Sequence, residues 1–556
     1  MVRATFSGFN TALSALQANQ KRLDITGQNL SNMNTAGYTR QQLEASSLNY
    51  TNPVSHYSNG NETAVGFGVS MDRVSQIRDP YLDIQYRSQS ADCSYTNRLQ
   101  TALNSLSKVL DETTISGIRQ AFDDVQSTLT SMQDPAKVSD PIYESELRTK
   151  MQSVCNLFNQ ASRQITQAEQ NEFQRLTGEG SSEQGDVQKI NDILRQIGDL
   201  NVQIKRNQVA GHPSLELQDE RNLLLDELSG YIPVETRYYK DDAHSGNNAY
   251  DYDANGAVIG KKDWPDDLEV SMNYIDAQGK SQKLILVNGS DLGADGLTKN
   301  YGQLSVLNRD HQPAASVSDP ANISIKFEKA PSYQGNGQAA ADVYAELKGI
   351  RFEGGSLQAS LDMLQKKGTG NVINGSVDDV RGYQYYSEKL DQLALTFAES
   401  MNKINNGNKN PKDQNLLSNS TDDSTNNITA GNIGISKGWT SGTIHISTDG
   451  TNRTDTILDM IAAMKDTKKL NGKTFADYMN NLSTQLASDS SSNQTALKTG
   501  TTVLNSIQDS RDSLSGVSLD EEATNMMAYV SAYNAASRLM TALDEVLNTL
   551  ISNTGA

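Results

Sequence analysis

Two helical seams at opposite ends of the chain constrain what this sequence can fold into more than any other feature. Near the start, Phe6, Phe9, Leu13, Leu16, Gln20, Leu23, Gly27 and Leu30 alternate at spacings of three and four, the heptad pattern of a helix with one narrow apolar face. Gln20 and Gly27 interrupt it. Near the end, Met526, Tyr529, Tyr533, Ala536, Met540, Leu543, Leu547 and Leu550 repeat the alternation without a break. Ser518-Leu519-Asp520-Glu521 opens this second helix as a capping box, in which the Ser518 hydroxyl accepts from an orphan backbone N–H and Glu521 reaches back to another. Asp520, Glu521 and Glu522 then sit in the first turn, where the helix dipole favours negative charge; a bound cation is not needed to explain them.

Each terminal helix would be about 27 residues, roughly 40 Å long. An isolated helix of that kind is marginal in water because its stability comes mainly from packing, so both seams predict partners. Residues 1–45 carry Arg3, Lys21, Arg22 and Arg40 against Asp24 and Glu44, and residues 515–556 carry Arg538 against Asp520, Glu521, Glu522, Asp544 and Glu545. The opposite signs favour pairing of the two ends, an effect that salt weakens.

The 556 residues exceed one ordinary hydrophobic core and suggest three or four domains. A hydrophobic content of 36% points to a surface-rich, elongated shape. The formal charge of -19 argues against nucleic acid and anionic membranes as partners. No apolar run approaches the ~18 residues that span a bilayer, and the first residues lack the apolar block of a cleavable signal peptide, so a soluble chain without a Sec-type signal is expected. Cys93 and Cys155 are the two cysteines. They form no CxxC motif, and each reads as a small buried apolar residue.

Between the seams the chain reads as largely helical. Leu99 to Leu110, Ile118 to Met132, Leu147 to Ala168, Val187 to Ile204, Leu390 to Ile404 and Leu482 to Leu514 each carry helical apolar spacing, with Asp134-Pro135, Asp140-Pro141 and Gly211-His212-Pro213 as punctuation. Long antiparallel helices are expected. Two stretches depart from this rhythm. In residues 232–349, Val270, Met272 and Tyr274 alternate, Leu284 to Val287 run into Asn288-Gly289, and Ile323, Ile325 and Phe327 alternate again, which reads as a β-rich insert. A smaller Asn/Ser/Thr-rich insert, 405–454, has strand character at Ile433-Gly434-Ile435 and Thr443-Ile444-His445-Ile446. The fold class predicted is therefore mainly α with β-rich inserts. It is a nested, elongated multidomain rod with a terminal coiled-coil layer (1–45 and 515–556), a helical bundle layer (46–231, 350–404 and 455–514), the outer β-rich insert and the small insert. Both termini would lie at one end.

Catalytic and metal chemistry finds little support. His56, His212, His244, His311 and His445 are scattered, and no P-loop, nucleophile elbow or kinase set is present. Val65-Gly66-Phe67-Gly68-Val69 is half a dinucleotide fingerprint, better explained by a strand passing close to another backbone. Asp251-Tyr252-Asp253-Ala254-Asn255-Gly256 supplies the first ligands of a calcium loop, but Lys262 stands where a bidentate Glu is needed. A hairpin turning at Asn255-Gly256 is the preferred reading. No cofactor, metal or catalytic residue is expected.

One motif resists a bland reading. Asn29-Leu30-Ser31-Asn32-Met33-Asn34-Thr35-Ala36-Gly37-Tyr38-Thr39-Arg40 closes the first helix with three Asn and a Gly, residues that tolerate left-handed backbone, and would fix the direction in which the chain leaves that helix. This string resembles the N-terminal signature of the axial proteins of the bacterial flagellum, its motif positions being Asn29, Asn32, Asn34, Gly37, Tyr38 and Arg40. The seam Phe6 to Leu30 and the segment Ser515 to Glu522 with its following helix are similar to the paired ends of that family. Gly66 to Arg87, Leu217-Gln218-Asp219-Glu220-Arg221-Asn222-Leu223-Leu224, and Gly355 to Ala359 with Leu390 to Asn405 narrow the resemblance to the first hook-associated proteins of the hook–filament junction. The two inserts match nothing known to us.

The resemblance implies a structural and not a catalytic role. It implies type III export without a cleaved signal, a ring of like copies outside the cell between the hook protein and the second junction protein, and a cytoplasmic chaperone on the C-terminal helix before export. The assembly seams expected are Phe6, Phe9, Leu13, Leu16, Leu23 and Leu30 at one end. At the other they are Met526, Tyr529, Tyr533, Met540, Leu543, Leu547 and Leu550, which also form the chaperone-binding face, with Ser518 and Glu521 as cap. A different axial protein, such as the hook subunit or the second junction protein, is the alternative; an enzyme hidden in 232–349 and a coiled-coil adhesin are weaker ones.

Overall fold

The computed structural model describes residues 2–48, 68–110, 117–138, 140–178, 182–210, 212–240, 250–252, 258–261, 266–276, 279–289, 299–308, 320, 323–330, 343–345, 351–373, 376–407, 414–448 and 453–554. The chain is mainly α-helical with small antiparallel sheets. Helix α1 (Val2–Asn32) leads into β1 (Gln41–Ser47), which pairs antiparallel with β2 (Val69–Gln76). Helices α2 (Pro80–Leu110), α3 (Ile118–Ser131), α4 (Pro135–Val138), α5 (Pro141–Thr177), α6 (Asp186–Val209) and α7 (Leu215–Tyr231) follow. Strands β3 (Glu235–Lys240), β4 (Tyr250–Tyr252), β5 (Val258–Lys261), β6 (Asp266–Ile275), β7 (Ser281–Asn288), β8 (Gln303–Asn308), β9 (Ile323–Glu328) and β10 (Val343–Ala345) come next. The chain then returns through α8 (Ser356–Gln365), β11 (Val372–Ile373), β12 (Ser376–Val377), α9 (Tyr383–Asn406), β13 (Leu417–Asn419), β14 (Ile433–Ile435), α10 (Lys437–Ser441) and α11 (Asp455–Met464) to α12 (Phe475–Ser515) and α13 (Leu519–Thr554).

Local chemistry sets many of these ends. Asp140 caps α5 by accepting from the Ile142 N–H, Pro141 opens the helix, and Gly178 closes it at φ 75°, the proline-first, glycine-last asymmetry. Thr474 Oγ1 accepts from the Asp477 N–H at 3.1 Å to start α12. The helical core forms where α3, α5, α9 and α12 meet: Phe122 packs edge-to-face against Phe158 and Phe397 at centroid distances of 5.9 and 5.2 Å and lies tilted against Phe475 at 5.5 Å. α12 runs antiparallel to α2, with Asn493 donating to the Thr96 carbonyl at 2.9 Å and Gly500 against the buried thiol of Cys93. Cys155 is also buried, and burial pushes its thiol up to about 12; it is packing, not chemistry.

The sheets β3-β6-β7 and β8-β9-β10 add their apolar residues, Val270, Met272, Ile323, Ile325 and Phe327, to one continuous core with the helices. Glycine makes the close approach possible: a Cβ at Gly198 of α6 would stand 2.5 Å from Asn300 Oδ1, whose amide donates to the Gly198 carbonyl at 3.0 Å. Strands β4 and β5 pair antiparallel as the hairpin reading requires, while residues 253–257, including Asn255-Gly256, lie outside the described residues, as do Val65 to Phe67 and Lys262. One expected strand is corrected. Thr443 to Ile446 is irregular chain; the Thr443 and Ile444 N–H groups both donate to the Gly438 carbonyl, the Ser447 N–H just beyond donates to Asn405 Oδ1, and β14 pairs with β13 instead.

Candidate assembly site at the junction of the terminal helices

α1 and α13 lie antiparallel against each other, which brings the two ends of the chain to one place. Arg22 lies over the Tyr529 ring at 5.6 Å, and Gly8 faces Leu543. The most buried face of α1 is Ala12, Ala18, Asn19, Ile25, Thr26 and Asn29, closed between α13 and the β1–β2 hairpin. Small residues there let the helices and strands approach closely. Gly68, at φ +105°, passes so near α1 that a Cβ would meet Ser14 Oγ at 2.2 Å and Thr11 Cα at 3.2 Å, the close strand approach read from the sequence.

The seam positions divide accordingly. Phe9, Leu16, Leu23 and Leu30 are half-buried, Leu13 is 46% exposed, and Phe6 lies in the first turns of α1. On α13, Met526, Tyr529, Met540, Leu543 and Leu547 are half-buried, whereas Tyr533 and Leu550 are exposed. Next to this face, Leu539, Val546 and Ile551 stand 49, 55 and 61% exposed. The pair therefore covers one stripe of each helix and leaves further apolar surface in water.

The chain reversal after α1 is built on Asn29. Its Oδ1 accepts from Tyr38 Oη at 2.9 Å and from the Gln41 N–H at 3.0 Å, and its Nδ2 donates to the Gln41 carbonyl at 3.0 Å. A single buried amide thus joins helix end, turn and first strand, with all its main-chain partners satisfied. Gly37 takes φ +78°, Asn32 donates to the Gln28 carbonyl at 3.0 Å, and Asn34 is exposed. Burial, then Glu216, Asp219 and Glu522, raise the Tyr38 phenol above its usual range, keeping it a neutral donor.

From this turn an ionic network ties the terminal pair to the helical body. Arg40 donates from Nη1 to Glu521 at 2.7 Å and from Nε to Glu522 at 2.8 Å, while its backbone N–H donates to the Ser515 carbonyl at 2.9 Å. Glu522 is 2% exposed. Ser518 Oγ accepts from the Glu521 N–H at 3.5 Å, and the Glu521 side chain is held by Arg40. Thr39 donates to Asp219 through its N–H at 3.0 Å and its hydroxyl at 2.6 Å. Burial raises the Asp219 carboxyl to about 6, against the lowering effects of Thr39 and Arg78. Arg511, at the end of α12, reaches Asp83 at 3.2 Å and Asp226 at 2.7 Å and covers the Tyr86 ring at 4.3 Å; Arg87 joins Asp226 at 2.8 Å. A cleft of about 650 Å³ lies beside the turn, between Tyr38, Arg40, Arg511 and Ser515 to Ser518.

Sequence reasoning singled out Arg40 and Glu521 but not Glu522, Arg78, Asp83, Arg87, Asp219, Asp226 or Arg511 as site residues. A signal existed: Asp83, Arg87 and Asp219 stand inside the strings Gly66–Arg87 and Leu217–Leu224. Such a network converts the direction in which the chain leaves α1 into a fixed orientation of the helical pair. No cluster of potential metal ligands occurs among the described residues, His445 lies beside Glu144 at 3.2 Å, and His56, His244 and His311 fall outside them. None of the described helices is long and apolar enough to cross a membrane.

These elements coincide with known families. The model of the flagellar hook-associated protein FlgK helical domain matches residues 103–415, that of the flagella basal body rod protein residues 9–39, and that of the flagellar basal body rod FlgEFG protein C-terminal region residues 510–553. The last two cover α1 with its turn, and α13. Flagellar hook-associated protein 1 of Bacillus subtilis is 28% identical over 99% of both chains. The Salmonella typhimurium protein of that name is 29% identical over 41% of this chain and 38% of its own. A solved structure, the flagellar hook junction protein FlgK from Burkholderia pseudomallei, overlaps 61% of this chain and 45% of that one, at 19% identity and a TM-score of 0.38. With the helical-domain model spanning more than half of its length, the chain belongs to the FlgK family of flagellar hook-associated proteins, structural components of the bacterial flagellum.

Proposed function

We propose that this protein forms the junction ring between hook and filament, outside the cell, by folding and assembling its terminal helices together. In this reading residues 1–45 and 515–556 pack with copies of the chain, with the hook protein and with the second junction protein. The body (46–231, 350–404 and 455–514) carries the inserts 232–349 and 405–454 outward. Before type III export, a cytoplasmic chaperone covers the C-terminal helix. The observation that carries this is the apolar surface left over after α1 and α13 have paired, with Leu13, Leu539, Val546 and Leu550 in water. Each is already about half buried, so a neighbour that covered it would add about 0.7–1.5 kcal/mol per side chain, in support of long helices that alone are marginal.

The test is substitution at the seam. Leu13→Asp removes an exposed side chain, so the isolated protein should keep its helical body; Leu543→Asp strikes the α1–α13 contact itself. Both should abolish incorporation into flagella, and cells should show hooks without filaments by electron microscopy, with flagellin lost to the medium. Normal filaments from both variants would refute the reading.

A further inference from the structure

The α1–α13 pair and the β1–β2 hairpin pack mainly on one another. The chain passes between this terminal unit and the helical body at two points: Ile77-Arg78-Asp79, between β2 and α2, and Gly516-Val517-Ser518, between α12 and α13. Polar ties then reach from the unit to α7. Thr39 donates to Asp219 through its N–H and its hydroxyl, Gln76 Nε2 donates to the Leu215 carbonyl at 2.9 Å, and Gln41 Nε2 donates to Glu216 at 3.4 Å. Leu223, an apolar neighbour of the turn, lies beside Gly37 and is 47% exposed.

Bonds of this kind exchange with water at small net cost, whereas buried apolar area does not. Space for movement lies beside them. Thr39 lines the cleft of about 650 Å³ between the turn and the end of α12. Gln76 and Leu215 line a second, of about 430 Å³, among β2, the start of α2, α7 and β3, and Arg78 lines both. Thr39 is the centre of the ties. It is 2% exposed, and its hydroxyl donates to Asp219 Oδ1 at 2.6 Å while accepting from Arg78 Nη1 at 3.3 Å. Arg78 Nη2 in turn donates to Asp83 Oδ1 of α2 at 3.0 Å. One hydroxyl thus joins the turn to α7 and, through Arg78, to α2.

We propose that the two crossings form a hinge on which the terminal unit swings against the body, with the Thr39 hydroxyl as its latch and the Gln76 amide as a second tie on the same motion. Segments at the ends of elements absorb rotations of this kind. The hinge belongs to the single chain and does not depend on the ring proposed above; in an assembly it sets the angle at which the terminal helices meet their neighbours.

The test is hydrogen exchange of the full-length protein at pH 7, read at single residues by mass spectrometry and corrected for intrinsic rates. An amide whose partner lies across the hinge exchanges when the hinge opens, and residue 39 carries such an amide. Thr39→Val removes the latch and leaves the buried Asp219 carboxyl short of a donor until water reaches it, so residue 39 should exchange roughly tenfold faster. Thr39→Ser restores the hydroxyl and should stay within about threefold of wild type. Gln76 bonds to Leu215 and not to Thr39 or Asp219, yet Gln76→Leu should also speed exchange at Thr39, by at least about threefold, because both ties restrain one motion. The Gln41 N–H, bonded to Asn29 inside the terminal unit, should be unchanged in every variant. A wild-type rate at residue 39 in either Thr39→Val or Gln76→Leu overturns the hinge, the latter by showing that the ties open independently. So does Thr39→Ser exchanging as fast as Thr39→Val. Equal acceleration at residues 39 and 41 overturns it as well, because the unit then unfolds instead of swinging.

Discussion

Replacing Arg40 by Met should loosen the start of α13 far more than loss of one surface ion pair would. Arg40 makes two contacts of unequal weight. Glu521 is 62% exposed, and such a pair contributes about 1 kcal/mol or less. Glu522, at 2% exposure and 2.8 Å from Arg40 Nε, would be left as a buried carboxylate without its cation, a loss that in general costs about 3–5 kcal/mol. The Arg40 side chain is itself 19% exposed, so water can reach the vacated space and the lower figure, about 3 kcal/mol, applies. That corresponds to roughly a 100-fold larger opening equilibrium, at about 1.4 kcal/mol per factor of ten. Hydrogen exchange of the amides in the first turns of α13 reads this directly, because the backbone bond from Arg40 to Ser515 survives the substitution. Replacing both residues, Arg40→Met with Glu522→Met, should recover most of the protection, since an apolar pair removes the stranded charge. Protection within threefold of wild type in the single variant would refute the reasoning. A double variant as weak as the single would refute it equally.

Asp219 makes stability fall toward neutral pH. Its folded pKa of about 6 lies above the usual ~3.9, so the contribution of the protonated carboxyl is complete below about pH 4 and lost as pH rises through 6. Between pH 4 and 7, urea unfolding should show wild type losing about 2 kcal/mol more than Asp219→Asn; parallel profiles would show that burial does not govern this carboxyl. Gly68→Ala must place a Cβ against the α1 backbone at φ +105°, and should cost about 2 kcal/mol, visible as faster proteolysis of the β1–β2 hairpin. Equal proteolysis rates would mean that the strand can move away from α1.

Much of the helical body was legible in the sequence because its signals are local. The Asp140-Pro141 start of α5 and the apolar spacing of α3, α5, α6 and α9 depend on residues within a few turns of one another. The alternations at Val270–Tyr274 and Ile323–Phe327 likewise reported strands, although Ser271 and Ser324 on their other faces are buried as well. Thr443 to Ile446 misled because β-branched composition says nothing about where backbone donors find acceptors; the Gly438 carbonyl took those of Thr443 and Ile444. The family strings marked Asn29, Tyr38 and Arg40, yet not why three of their side chains matter together.

The sequence by itself determined that α1, α2, α3, α5, α6, α9, α12 and α13 are helices, that both ends carry apolar seams, and that a turn rich in Asn and Gly follows the first of them, because periodicity and turn chemistry are properties of neighbouring residues. Only the tertiary structure decided which stripe of α1 faces α13, that Glu522 and not Glu521 is the buried partner of Arg40, and that Asp83, Asp219, Asp226 and Arg511 converge on one junction. Those residues stand up to hundreds of positions apart, and a buried charge finds its counter-charge by proximity in space.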